Sequence, residues 1–241
     1  MRVIKLEETK STNTYSKEHL TLLEDKTVVH ALRQTSGRGR LNRIWVDFGE
    51  NNLFFSLVLK PSNDFKSVYS NLTQYASVIL CKIFENYGLN AKVKWPNDVM
   101  IDGQRKICGI LCETVIEHYE LKGIILGIGI NLNASKEDVE NIPDRVVTAL
   151  NLETGKNVNS EAFLNEFLIE FFKTYDEFLS KGFGYIMNDY LKRNCFLEKD
   201  LSVQVLNDIK SGYAKGVNGK GELILQTDDN KDLILNIGDI L

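Results

Sequence analysis

The densest run of chemically useful residues is Gln34-Thr35-Ser36-Gly37-Arg38-Gly39-Arg40-Leu41-Asn42-Arg43-Ile44-Trp45. Its glycines free the backbone to approach a ligand and to change shape. Its arginines are planar, permanently charged donors that suit phosphate and carboxylate. Trp45 is placed to pin the far end of the loop into a core. A solvated basic turn, or an RGG-like RNA-binding segment, would have the same composition. The strand-like residues before the loop and the tryptophan after it favour a loop that closes on a ligand.

A second group is Lys94-Trp95-Pro96-Asn97-Asp98, followed by Arg105-Lys106-Ile107-Cys108-Gly109-Ile110-Leu111. Here a turn supplies a carboxamide and a carboxylate, with a lysine just beyond it. Such groups suit a metal–phosphate complex and the neutralisation of a carboxylate. A tight hairpin with a surface lysine would look the same. The third group is Gly127-Ile128-Gly129-Ile130-Asn131-Leu132. The last glycine of the dinucleotide fingerprint is missing, which excludes a Rossmann reading, and no Walker A lysine follows. The ordinary reading is a strand whose glycines let another backbone come close.

These groups need elements to position them. Ser11-Thr12-Asn13 has the side chains of a helix start, and that helix is expected to run to about Leu23. Thr27–Gln34 and Leu53–Leu59 read as strands, the second nearly continuous in apolar residues as a buried strand is. The three- and four-residue spacing of apolar residues from Phe65 to Tyr87 predicts a helix with one wide core face. A strand begins near Lys92, the Trp95–Asp98 segment turns, and Lys106–Val115 pairs with Leu121–Asn131 across a turn near Glu117–Glu120. Ser160–Leu179 is a second amphipathic helix, followed by a shorter one to about Arg193. From Leu201 short strands alternate with Asn207-Asp208, Asn218-Gly219 and Asp228-Asp229-Asn230, the pattern of a small barrel. The order predicts an α+β main domain over 1–194 and a small β domain over 195–241.

Composition narrows the function. A net charge of -4 over 241 residues argues against nonspecific nucleic-acid binding, although a local basic loop still suits an anionic ligand. The N-terminus has no apolar signal core and no run is long enough to span a bilayer, so the expectation is a soluble, cytoplasmic protein. Cys81, Cys108, Cys112 and Cys195 form no CxxC pair, and His19, His30 and His118 form no ligand pattern, so a zinc site is not expected. Cys108 and Cys112 on one strand face would stand about 13 Å apart, too far for a shared metal or a disulfide.

Ser11-Thr12-Asn13, Gln34 through Trp45, Lys94 through Asp98, Arg105 through Leu111 and Gly127 through Asn131 occur in the order and at the separations of the biotin–protein ligase family, which the chain resembles from Val3 to its C-terminus. The resemblance implies the fold shared with class II aminoacyl-tRNA synthetases, a mostly antiparallel mixed sheet with flanking helices. It also implies that Gly212 through Ile240 belongs to a small SH3-like β barrel. Because Ser11 stands so near the start, the expected form lacks the DNA-binding winged helix of many relatives, and no DNA partner is expected.

By the same resemblance the reaction joins biotin to a lysine of a biotin carboxyl carrier protein or carboxylase carrier domain, using ATP and Mg²⁺. Ser11, Thr12, Asn13 and Gln34 would lie at the biotin site. Gly37, Arg38, Gly39 and Arg40 would form the loop that orders over biotin and the adenylate. Lys106 would meet the biotin carboxylate and later the acyl phosphate, so that Arg40 and Lys106 are the expected catalytic pair. Arg38, Arg40, Trp45, Lys94, Asn97, Lys106 and Asn131 would serve ATP and the adenylate, and Asp98 the magnesium ion through the phosphates. The family further implies a homodimer. Two alternatives stay open: a lipoate–protein ligase of related fold, and a nonenzymatic RNA-binding module built on the Gly/Arg loop.

Overall fold

The structure, a computed structural model, describes residues 1–49, 51–61, 66–143 and 146–241, excepting the side chain of residue 42. In chain order the strands and helices are β1 (Val3–Thr9), α1 (Thr12–Glu18), β2 (Thr27–Gln34), β3 (Leu53–Leu59), α2 (Leu72–Asn86), β4 (Ala91–Lys94), β5 (Asp98–Ile101), β6 (Arg105–Glu117), β7 (Glu120–Ile130), α3 (Lys136–Glu140), α4 (Leu150–Thr154), α5 (Ser160–Lys173), α6 (Tyr175–Lys181), α7 (Met187–Lys192), β8 (Asp200–Val205), β9 (Asp208–Val217), β10 (Leu223–Gln226), β11 (Asp232–Leu235) and β12 (Asp239–Ile240). The contacts divide the chain into two compact units, one of Met1–Lys66 with Arg105–Leu168, the other of Ser67–Gln104 with Ile169–Leu241.

In the first unit the strands lie in the order β1-β2-β3-β7-β6. β1 and β2 are parallel, while the other neighbours are antiparallel. β3 is buried along its whole length, as its unbroken apolar run requires. β6 and β7 turn at His118 and Tyr119, which have φ of 50° and 66°. Two central residues at positive φ match the twist of the strands they join. β1 was not expected from the sequence. Its Ile4 and Leu6 alternate onto a core of Leu20, Leu23, Val29, Val58 and Ile125. Helix α1 is shorter than expected and stops at Glu18; a 3-10 turn over Leu20–Leu22 then drops Leu20 and Leu23 into that core.

In the second unit α2 begins at Leu72, later than the apolar spacing predicts, because Ser67–Asn71 winds as a 3-10 turn. Phe65, the expected start, lies outside the described residues. Tyr75 of α2 stacks on Phe178 at 4.3 Å and meets Phe171 edge-on at 4.9 Å. This contact also explains why one expected helix is two. The Tyr75 hydroxyl donates to the carbonyl oxygen of Phe171 and sits 2.9 Å from Thr174 Oγ1, where α5 ends and α6 begins. Arg193, only 7% exposed, ties the end of α7 to α2 through both carboxylate oxygens of Glu85, at 2.7 Å each. The C-terminal strands form a five-stranded antiparallel sheet in the order β11-β10-β9-β8-β12. No described helix is long and apolar enough to cross a membrane.

Candidate active site

Parallel pairing of β1 with β2 sets Thr9 beside Gln34. The pairing continues past the strands, with Thr35 N–H donating to Thr9 O and Ser36 N–H to Lys10 O. The start of α1 and the start of the Gly/Arg loop therefore leave the sheet side by side. Ser11, 3% exposed, precedes the helix but makes no side-chain cap, contrary to the expectation for a serine at that position. Gln34 does that work from the neighbouring strand: its Oε1 accepts the Thr12 N–H at 2.8 Å and the Thr12 hydroxyl at 3.3 Å.

Asn13 lies at the centre of a buried polar network. Ser56 of β3 donates to its Oδ1 at 2.6 Å and lies 2.8 Å from Thr12 Oγ1. The Asn13 amide donates to Leu111 O at 3.2 Å and to Glu113 Oε2 at 2.9 Å. The other Glu113 oxygen takes Lys17 Nζ at 2.8 Å and the Arg38 guanidinium at 3.3 Å. Burial pushes the Glu113 carboxyl upward, but hydrogen bonds from Lys17 and Asn13 and the charges of Lys17 and Arg38 outweigh it and hold it below its ordinary value.

The Gly/Arg loop is anchored at both ends. Asp47 accepts from Gln34 N–H at 2.8 Å and Arg33 Nε at 3.0 Å, and also from Gly49 N–H at 2.6 Å. Between these anchors the loop folds on itself, Gly39 N–H donating to Arg43 O and Trp45 N–H to Gly37 O. Gly37 is buried against Trp45 and Gln34, where a Cβ would come within 2.5 Å of the Trp45 carbonyl oxygen. Leu41 takes φ 49° and ψ 42°, a left-handed conformation uncommon for a leucine. The arginines Arg38 and Arg40 thus sit on a loop that is pinned at its ends and bent at its tip.

The glycines of β6 and β7 make the floor. A Cβ at Gly129 would stand 2.5 Å from Trp45 Cε2, and one at Gly109 would stand 2.7 Å from Trp45 Cζ3. At Gly127 the clash would be with Asn13 Oδ1, at 2.0 Å. The expectation that the Gly-x-Gly admits another backbone is therefore corrected: it admits side chains, Asn13 over Gly127 and Trp45 over Gly129. Lys106 crosses the same floor, its amine 5.5 Å from the centre of the Trp45 ring. Trp45, Lys106 and Asn131 line a cavity of about 410 Å³ with Arg43, Ile44, Val46, Phe48, Ile142, Pro143 and Val147. That size suits a small-molecule ligand, and an apolar wall with a few polar groups is the usual make-up of such a site.

Asn131, 2% exposed, is held by its amide on Thr148 O at 3.0 Å and by its N–H on Ile107 O. Asn52 supports it from β3's start, its Oδ1 accepting from Leu132 and Asn133 N–H at 2.8 and 3.1 Å. The first unit thus gathers Ser11, Thr12, Asn13, Gln34, Gly37, Arg38, Gly39, Arg40, Trp45, Lys106 and Asn131. Lys94, Asn97 and Asp98 belong to the β4–β5 segment of the second unit, where Lys94 ends β4 and Asp98 opens β5. Among the described residues no cluster of three His, Cys, Asp or Glu side chains gathers to hold a metal ion. Sequence reasoning missed Ser56, Glu113, Lys17, Asp47 and Asn52. Each is an ordinary polar residue in the sequence and acquires meaning only from its partner across the sheet.

An α+β domain with a doubly anchored cationic loop, a glycine floor and a cavity of small-molecule size has the frame of a small-molecule-binding domain. The chain belongs to the biotin/lipoate A/B protein ligase family, whose model matches residues 6–131. It is 30% identical to the bifunctional ligase/repressor BirA of Bacillus subtilis over 204 residues, which are 84% of this chain and 62% of that one. The chain thus spans less than two thirds of that relative. It is 28% identical to the biotin–[acetyl-CoA-carboxylase] ligase of Paracoccus denitrificans, covering 95% of this chain and 96% of the relative. The fold is that of the biotin protein ligase of Aquifex aeolicus solved in complex with biotin and ATP, with a TM-score of 0.81, 27% identity, and coverage of 100% of this chain and 98% of that one.

Proposed function

We propose that the protein is a biotin–protein ligase, which adenylates biotin with ATP and then transfers biotin to a lysine of a biotin carboxyl carrier protein. The observation that carries this reading is the Lys106 amine lying over Trp45 at the edge of a cavity whose wall also includes Asn131. Agreement over nearly the whole length of the Aquifex enzyme supports it.

In the first step a biotin carboxylate oxygen attacks the α-phosphorus of ATP, and pyrophosphate leaves. Both reactants are anions, so their approach is repelled in the absence of cations. Lys106, Arg38 and Arg40 would offset that repulsion and stabilise the charge that develops on phosphorus. Ser11, Thr12, Asn13 and Gln34 would hold the ureido end, with Gly37 and Gly39 letting the loop backbone approach. Asn131 and Trp45 would flank the nucleotide, and Lys94 and Asn97 would serve its phosphates. Magnesium would enter with ATP, neutralising phosphate charge, with Asp98 as the carboxylate on that side. In the second step the neutral ε-amine of the carrier lysine attacks the acyl carbonyl; the amide forms, AMP leaves, and the amine's proton goes to solvent. A closed loop would keep water from the mixed anhydride meanwhile.

Residues 195–241 would form the family's SH3-like barrel and residues 1–194 a catalytic domain with the class II synthetase fold, and the protein would act as a cytoplasmic homodimer. The test is incubation with biotin, ATP, Mg²⁺ and a carrier domain, then mass measurement of the carrier. A biotinyl increment on one lysine is expected. An unmodified carrier, together with no biotin-dependent exchange of pyrophosphate into ATP, overturns the reading. Lipoate in place of biotin in the exchange assay separates the related ligase class.

A further inference from the structure

Glu113 joins groups from three separate parts of the first unit: Asn13 and Lys17 from α1, Arg38 from the Gly/Arg loop, and its own strand β6. From these contacts we infer that Glu113 is a positioning residue, which orients the Asn13 amide and tethers the Arg38 limb of the loop before any ligand binds; the inference rests on the biotin ligase reading of this site.

The Asn13 carboxamide has two N–H donors, and both are taken, one by Glu113 and one by Leu111 O. Its oxygen therefore faces Ser56 and the bare backbone of Gly127, with the opposite orientation denied because it would set the amide oxygen against two acceptors, the Glu113 carboxylate and the Leu111 carbonyl. At the other oxygen of Glu113, Lys17 fixes the carboxylate while Arg38 approaches from the loop. Side-chain exposure is 19% for Glu113 and 43% for Arg38, so the carboxylate is the rigid partner and the guanidinium the movable one. A loop held at Arg38 loses less freedom when a ligand arrives, and preorganisation of this kind appears as affinity rather than as rate.

The Glu113→Gln variant keeps the shape and an acceptor for Asn13 but removes the charge that holds Arg38. Without substrates, hydrogen exchange of the 36–46 backbone, read by mass spectrometry, is expected to quicken by roughly two- to fivefold, the worth of one partly exposed ion pair. In biotin-dependent pyrophosphate exchange the KM for biotin should rise by a similar factor, with kcat within about twofold of wild type. Glu113→Asp, which keeps the charge, should recover part of both effects. If Glu113→Gln does not fold, Arg38→Gln cuts the same tether from the loop side and should quicken exchange of the same segment. Unchanged exchange of 36–46, or a fall in kcat at constant KM, overturns the inference. The hydrogen-exchange readout needs no activity, so failure of the ligase reading itself, seen as a wild-type protein with no biotin-dependent exchange, is distinguishable.

Discussion

Gly127 and Asn13 share one contact: the space a Cβ would fill at Gly127 is taken by Asn13 Oδ1, 2.0 Å from where that carbon would stand. The amide that the resemblance places at the biotin site is seated on a strand position that only glycine provides, so a residue of β7 decides whether a residue of α1 reaches its place.

Gly127→Ala should therefore unseat Asn13 and break its bonds to Ser56 and Glu113. Overpacking of this kind costs about 1–3 kcal/mol. Thermal denaturation should show that loss, and titration calorimetry should show biotin binding weakened by at least roughly tenfold through the lost hydrogen bonds. Binding at wild-type strength would contradict the seating.

At Gly129 the displaced group would be Trp45, whose ring lies 2.5 Å from the missing carbon. Gly129→Ala should move the indole and open or block the cavity beside Lys106. The chain has two tryptophans, and Trp95 is buried in the second unit, so a change in fluorescence would report Trp45. An unaltered emission spectrum with normal ATP binding would count against it.

Lys106→Gln keeps a polar, hydrogen-bonding side chain but removes the charge opposite two anions. Loss of one such donor costs about a hundred- to a thousandfold in rate. Pyrophosphate exchange should fall by that order while the fold, checked by circular dichroism, stays intact. A fall of less than about tenfold would remove Lys106 from the chemical step.

Arg40 opens the tip of the loop, next to Leu41 with its left-handed backbone. Arg40→Gly should loosen the lid and let biotinyl-adenylate escape. Proteins unrelated to the carrier should then become biotinylated at exposed lysines, as a streptavidin blot would reveal. Retained adenylate and a clean blot would refute the lid role.

Glu113 also makes a pH prediction. Its carboxyl is held below the ordinary value in the fold, with Lys17 and Arg38 as the facing cations. A depressed carboxyl stabilises the fold above its unfolded pKa of about 4.3, and that contribution disappears as pH falls through the folded value. Between roughly pH 5 and pH 3 the urea midpoint of the wild type should drop more steeply than that of Glu113→Gln. Parallel curves would mean that the carboxylate contributes no such linkage.

Much of this protein was legible in one dimension. β2 and β3 run over the residues their apolar patterns mark, and β6 and β7 pair across a turn within the expected segment, because alternation and continuous apolar runs report burial locally. The Gly/Arg loop raised the expectation of an anionic ligand, because a guanidinium is a charged planar donor wherever it stands. The tertiary structure decided the rest. Gln34 caps α1 in place of Ser11 only because β1 and β2 run parallel, and Glu113 joins Asn13 to Arg38 only because two antiparallel strands and a helix converge there. Such bonds link residues about twenty to a hundred positions apart, as in the Thr12–Gln34 and Asn13–Glu113 pairs. Residue type and spacing can show that a group is able to bond; which partner it meets is set by strand order and register, and these are properties of the folded chain as a whole.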